Sequence, residues 1–154
     1  RRCYLQTQLL HQYKKSLISF TLNIPGPVKV LPGVPEAFAT GCQRIETLLK
    51  DRLVLIQHME TIKEKTGYEA FYSVDANPDF IKELMVSLED QDRIGRLFDI
   101  DVLRPDGSKV SREDMGSAPR TCLLCGQPAH VCSRSRRHSV AELTAEIGKI
   151  LSGS

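Results

Sequence analysis

Between residues 16 and 24 the chain alternates strictly. Ile18, Phe20, Leu22 and Ile24 fall on one side, and Ser19, Thr21 and Asn23 on the other. That period of two predicts a half-buried strand. Pro25-Gly26-Pro27 ends it, and Pro32-Gly33 and Pro35 prolong a loop. Over residues 36–50 the apolar positions Phe38, Cys42, Ile45, Leu48 and Leu49 recur at helical spacing. Residues 53–74 are rich in β-formers and broken by Thr66-Gly67, which predicts a hairpin. Asn77-Pro78-Asp79 has the form of an N-cap with proline at the first helical position. Ile81, Leu84, Met85 and Leu88 supply the apolar face of the helix that follows. Residues 96–103 predict a strand closed by Pro105-Asp106-Gly107, with 109–112 returning as a short partner. Residues 112–137 read as loop. Ser139 and Glu142 stand at capping-box spacing before a last helix with the stripe Val140, Leu143, Ile147, Ile150 and Leu151. The first 15 residues are polar and show no clear period.

The resulting order, β-α-β-β-α-β, predicts an α+β fold with a ferredoxin-like core over residues 16–103. A loop-rich, basic, cysteine-containing extension with a terminal helix occupies 104–154, and the whole of 1–154 reads as one domain. The order by itself assigns no chemistry. A net charge of +2 gives no global field toward DNA or membrane. The distribution is more informative: residues 104–137 hold seven Lys/Arg and three Asp/Glu, a setting suited to phosphate as well as to plain solvation. No stretch approaches the ~20 apolar residues of a membrane span. Five cysteines, three of them clustered, fit a reducing cytoplasm better than a secreted disulfide scaffold.

Three motifs carry candidate chemistry. In Gly95-Arg96-Leu97-Phe98-Asp99-Ile100-Asp101-Val102-Leu103, strand alternation puts Asp99 and Asp101 on one face, with Cα atoms roughly 7 Å apart. Phe98, Ile100 and Val102 take the core face. Two carboxylates so placed repel unless a cation lies between them, and Mg²⁺ binds through one or two carboxylates plus substrate phosphates. Two solvated aspartates on an edge strand is the plainer alternative. Cys122-x2-Cys125, Cys132 and His138 could close a tetrahedral Zn²⁺ site, with His130 a rival fourth ligand. Packed reduced thiols, or a catalytic thiol activated by Arg120, Arg134 and Arg136, are the competing readings. In Pro25-Gly26-Pro27-Val28-Lys29, Gly26 permits close backbone approach and Lys29 could meet a phosphate.

These segments together resemble one family. The stretch 95–103, Ser111-Arg112, Pro119-Arg120-x-Cys122-Leu123-Leu124-Cys125, Cys132-x-Arg134, His138 and the I-x-G-P-x-K stretch Ile24 to Lys29 are similar to the apo-citrate lyase phosphoribosyl-dephospho-CoA transferases, the holo-acyl-carrier-protein synthases of citrate lyase. The resemblance implies a nucleotidyltransfer-like reaction. Its donor is triphosphoribosyl-dephospho-CoA and its acceptor a serine of the citrate lyase acyl carrier protein, the gamma subunit. Pyrophosphate leaves. On that reading Asp99 and Asp101 hold Mg²⁺. Gly95, Arg96, Arg112 and Arg120, with Gly26 and Lys29 behind them, meet the donor, and Arg134, Arg136 and Arg137 face the carrier. The alternative class is a small zinc-stapled RNA- or protein-binding module. The absence of Trp, and of any aromatic residue after Phe98, speaks against base stacking and so against nucleic acid.

Overall fold

Amphipathic helices interleaved with strands are stable when they cover an apolar sheet face. The computed structural model, which describes residues 2–13, 15–24 and 30–152, has that arrangement. Helix α1 (Arg2–Tyr13) precedes strand β1 (Ser16–Leu22). Then come α2 (Val34–Asp51), β2 (Leu55–Glu64), β3 (Gly67–Asp75), α3 (Pro78–Glu89) and β4 (Phe98–Leu103), followed by α4 (Ala129–Ser135) and α5 (Val140–Leu151). The fold is α+β, with a four-stranded sheet of order β2-β3-β1-β4 in which every neighbouring pair is antiparallel.

One sheet face is the main core. Ile18 and Phe20 of β1, Tyr72 and Val74 of β3, and Ile100 and Val102 of β4 pack with Phe38 and Ile45 of α2 and Ile81 and Met85 of α3. Gly41 lets α2 come this close: a Cβ there would stand 2.2 Å from Phe20 Cζ. Asn77 caps α3 as its sequence predicts, its side chain accepting the Asp79 N–H at 2.8 Å.

The other face departs from the half-buried expectation, because β1 is buried on both sides. The reason is α1, in the segment that showed no period. Its Leu9 and Leu10 form a second cluster with Leu17, Phe71 and Leu103, and Gln6 donates to Ser19 Oγ at 3.1 Å. A helix that touches the sheet through so few residues leaves a weak periodic trace in its sequence.

Strand β4 lies at the sheet edge, where outward backbone groups need partners. Helix α3 supplies them from two buried charged side chains. Lys82 Nζ donates to Ile100 O and Glu89 Oε2 accepts the Ile100 N–H, both at 2.9 Å. The next outward carbonyl, Val102 O, accepts the Val110 N–H at 2.9 Å, so residues 109–112 return beside β4 as a bridge rather than a full strand. The strand begins at Phe98, two residues later than its sequence predicts. Residues Ile94–Leu97 form a 3₁₀ turn instead, with the Gly95 N–H held by Asp92 Oδ1 at 2.9 Å. Residues 112–137 are likewise not all loop: Glu113–Met115 is a 3₁₀ turn and α4 follows.

The last helix opens on the expected capping box, with Glu142 N–H to Ser139 Oγ at 3.1 Å and Ser139 N–H to Glu142 Oε1 at 2.9 Å. Ile147 and Ile150 seat it on Ile24, Val34 and Leu97, and Arg93 pairs with Glu146. Val140, at the start of the expected stripe, is exposed.

Glu89 is nearly fully buried, and besides the Ile100 N–H it takes Arg112 Nη2 at 2.7 Å. Glu89→Ala should therefore cost about 3–5 kcal/mol in urea unfolding, since it removes the buried partner of Arg112 and leaves an edge amide unpaired. Asp90→Ala, which removes the exposed partner of the same arginine, should cost under about 1 kcal/mol. A Glu89→Ala protein as stable as Asp90→Ala would show that the carboxylate does not hold the edge.

Candidate functional site

Antiparallel pairing places directly opposed residues on the same face. Thr21 opposes Asp99 on one side and Glu69 on the other, while Ser19 opposes Asp101 and Phe71. The half of the sheet beyond α1 thus presents a polar row, Glu69–Thr21–Asp99, with Ser19 and Asp101 beside it. Asp99 and Asp101 are partly exposed and share this face, as strand alternation predicts. Lys109 Nζ lies 3.4 Å from Asp101 Oδ2 and offsets part of the charge. A cavity of about 210 Å³ opens on the row, lined by Thr21, Asn23, Thr66, Glu69 and Asp99 among others. Glu69 was not visible as a site residue in the sequence, because only the long-range register of β1 with β3 brings it opposite Thr21.

The predicted arginines separate into two roles. Arg112 is engaged in the core edge through Glu89 and through Asp90 Oδ1 at 3.1 Å, and its side chain is only 10% exposed. Arg96 and Arg120 instead tie the turn before β4 to residues 120–122. Arg96 Nη2 donates to Thr121 O at 2.8 Å, Thr121 Oγ1 at 3.0 Å and Cys122 O at 3.2 Å, while Arg120 donates to Arg96 O. Arg120 Nη1 also approaches Glu89 Oε2 at 3.8 Å. Gly95 is buried in the turn, where a Cβ would meet Leu88 O at 2.3 Å, so its smallness serves packing on the end of α3. Gly26 and Lys29 lie outside the described residues.

The cysteine segment is organised around its sulfurs. A turn carries Cys122 and Cys125, closed by Cys122 N–H to Gln127 O at 2.8 Å and by the Thr121–Pro128 bridge. Cys132 projects from α4, and His138 precedes the cap of α5. The four side chains converge, with every ligand atom within 4.8 Å of the others. His130 is exposed and outside the group. The hydrogen bond with His138 at 3.4 Å, ahead of one from the backbone at Gln127, draws the Cys125 thiol down to about 6. Burial pushes Cys132 up to about 11.

Between this loop and α5 lies a larger cavity of about 550 Å³. Leu123, Leu143 and Ile147 give it an apolar wall, and Arg96, Arg120 and Arg136 give it cations. Asn23 lines both cavities, so the acidic row and the arginine cavity meet at the end of β1. Among the described residues no helix is long and apolar enough to cross a membrane.

Comparison with known proteins agrees along the whole length. Residues 1–153 match the family described as apo-citrate lyase phosphoribosyl-dephospho-CoA transferase. A Streptococcus pyogenes serotype M18 protein named "Probable apo-citrate lyase phosphoribosyl-dephospho-CoA transferase" is 40% identical over 156 residues, covering 97% of this chain and 79% of that one. A Vibrio cholerae serotype O1 protein of the same name is 36% identical, over 92% of this chain and 80% of its own. "Protein CitXG" of Leuconostoc mesenteroides subsp. cremoris is 34% identical over 95% of this chain but only 32% of its own length. The family match spans residues 1–153, and the chain belongs to the apo-citrate lyase phosphoribosyl-dephospho-CoA transferase family.

Proposed function

We propose that this protein transfers the phosphoribosyl-dephospho-CoA group from triphosphoribosyl-dephospho-CoA to a serine of the citrate lyase acyl carrier protein, with release of pyrophosphate. The observation that carries the reading is the meeting, at Asn23, of an acidic row with a cavity lined by arginines and apolar side chains. A nucleotidyl-type transfer needs both: carboxylates that can hold a metal against phosphates, and cations that grip the donor. A binding module without catalysis would leave the acidic row unexplained. The β-α-β-β-α-β order and the all-antiparallel sheet support reading the core as ferredoxin-like, and the free thiols support a cytoplasmic setting.

In this transfer the serine oxygen forms a bond to the phosphorus on the ribose side, and the bond to the departing pyrophosphate breaks. Negative charge grows on the leaving group, and the serine proton must go to a base. Asp99 and Asp101 are our candidates to hold Mg²⁺, which when bound offsets charge on the phosphates. Their oxygens on one strand face fit a hard cation. Among the described residues no third His, Cys, Asp or Glu converges with them, so the rest of the shell would come from phosphate oxygens and water, as is usual for this ion. Glu69, across Thr21, is our candidate acceptor for the serine proton.

Arg96 and Arg120, oriented by the backbone bonds they make, would present their planar guanidinium groups to the donor's phosphates. Gly26 and Lys29, which follow Ile24 in sequence, are further candidates for that contact. Gly95 and Arg112 act on the donor indirectly in this reading, by fixing the turn and Glu89. Arg134, Arg136 and Arg137 are assigned to the acidic carrier. A zinc ion in the thiol–imidazole cluster would lie outside the chemical step.

Asp99→Asn and Asp101→Asn keep side-chain shape and remove charge. Each should leave the melting temperature close to wild type and reduce pyrophosphate release, assayed with donor and apo carrier protein at limiting Mg²⁺, by at least ~100-fold. Near-normal release in both would move the metal elsewhere. The cavity has its own check. Leu143→Trp fills the apolar wall from α5 and should raise the donor KM about tenfold, roughly 1.4 kcal/mol, with the carrier KM unchanged. An unchanged donor KM would place the donor outside this cavity.

A further inference from the structure

We propose that Cys122, Cys125, Cys132 and His138 bind one zinc ion as a closed structural centre, and that this centre replaces a hydrophobic core for the extension. Tetrahedral zinc with Zn–S distances of about 2.3 Å sets its ligand atoms about 3.8 Å apart. Here Cys125 Sγ stands 3.5 Å from Cys132 Sγ and 3.4 Å from His138 Nε2, and all four ligand atoms fall within 4.8 Å of one another. The backbone is shaped for it as well. The Cys122–Cys125 turn folds the Leu124 N–H toward Cys122 Sγ at 3.5 Å, an amide placed to stabilise a thiolate.

Burial separates this reading from packed thiols. From residue 111 to residue 146, all of them described, Cys122 and Cys132 are the only buried residues. Two small side chains cannot repay the entropy of ordering so long a segment. A disulfide between Cys125 and Cys132 would close only a short loop, and it would leave Cys122 and His138 pointing at the same spot without purpose. Four convergent nitrogen and sulfur ligands with no open position describe a structural zinc site, and soft thiolates disfavour magnesium or calcium. Three thiolates and one neutral imidazole around Zn²⁺ carry a net charge of −1. Nearby cations offset it, since Arg96 donates to the carbonyls of Thr121 and Cys122 on the ligand turn.

Those bonds give the metal a second consequence, which rests on the transferase reading above. The turn that holds Cys122 also orients Arg96, and Arg120 leads into that turn. Zinc loss should therefore loosen the arginines that face the larger cavity.

The test begins with protein purified without a metal-affinity tag and analysed by elemental mass spectrometry. About one zinc per chain is expected, conserved in His130→Ala and lost in Cys122→Ser and Cys132→Ser. Should the serine variants fail to fold, the wild type still decides. Cobalt reconstitution should give the ligand-field and thiolate charge-transfer bands of a tetrahedral S₃N site, and a chelator should lower the melting temperature. Protein that as purified holds no metal, gives no such cobalt spectrum and melts the same with chelator would overturn the proposal. Metal content is read without any transfer assay. Zinc without transfer would leave the centre standing and sink the enzymatic reading, and transfer with added Mg²⁺ by protein that as purified holds no zinc and gives no cobalt spectrum would do the reverse.

Discussion

The outer edge of β4 sets the terms for the rest of this molecule. An edge strand exposes backbone donors and acceptors that invite pairing with another chain. Here the Ile100 amide and carbonyl are taken up instead by Glu89 and Lys82, two charged side chains a heptad apart on α3 and both buried. Burying a carboxylate and an ammonium is costly unless each finds partners. Glu89 meets that condition by accepting a backbone amide and Arg112 and by lying close to Arg120. The edge is therefore closed to strand addition, and α3 is fixed against it in a single register.

The same carboxylate joins the core to the extension. From Glu89 the contacts run to Arg112 and Arg120, from Arg120 to the carbonyl of Arg96, and from Arg96 to the carbonyls of Thr121 and Cys122. The Glu89–Arg120 link is an ion pair at 3.8 Å, and the others are charged donors on a carboxylate or carbonyl, the stronger kind of hydrogen bond. A guanidinium fixed in this way loses little further freedom when it meets a phosphate, and that is how positioning lowers the cost of binding a flexible polyphosphate. The Asp92 carboxyl supports the chain from the other side. It grips Arg44 of α2 with two bonds of 3.0 Å and holds the Gly95 amide, and the Arg44 bonds first, then Gly95, keep it below the usual carboxylate range.

What could be seen in the sequence follows from which forces were local. Alternation along β1 and β4, the Asn77-Pro78 start and the Ser139-Glu142 box are short-range patterns, and each marks an element in the structure. The Asp99/Asp101 face was legible for the same reason, since alternation needs no knowledge of neighbours. Helix α1 was not, because it presents only a few leucines to the sheet and is otherwise polar. Helix α4 was hidden because the side chain it buries is Cys132 rather than an aliphatic residue. Glu69 and Glu89 depend on strand register and on the packing of α3 across β4. Lys82 and Glu89, seven apart beside an apolar helix face, were the one visible hint of buried charge.

The extension shows why a basic, cysteine-bearing segment can be ordered at all. Its positive surplus would spread a bare loop, and between residues 111 and 146 its few aliphatic residues line a cavity wall or are at least partly exposed. Helix α5 is anchored at its far end, through Ile147 and Ile150, and β4 is anchored in the sheet core, so the segment between them is held at both ends. What remains is to fix its middle, and there the buried atoms are sulfur. On the two readings proposed above, the arginines beside them have two demands to meet, the negative charge of thiolates within the protein and the negative charge of phosphates outside it. Arg96 bonds to carbonyls on the ligand turn and also lines the cavity with Arg120 and Arg136, so both demands fall on one basic surface. A surface arranged in that way can hold a polyanion without giving up the contacts that order it.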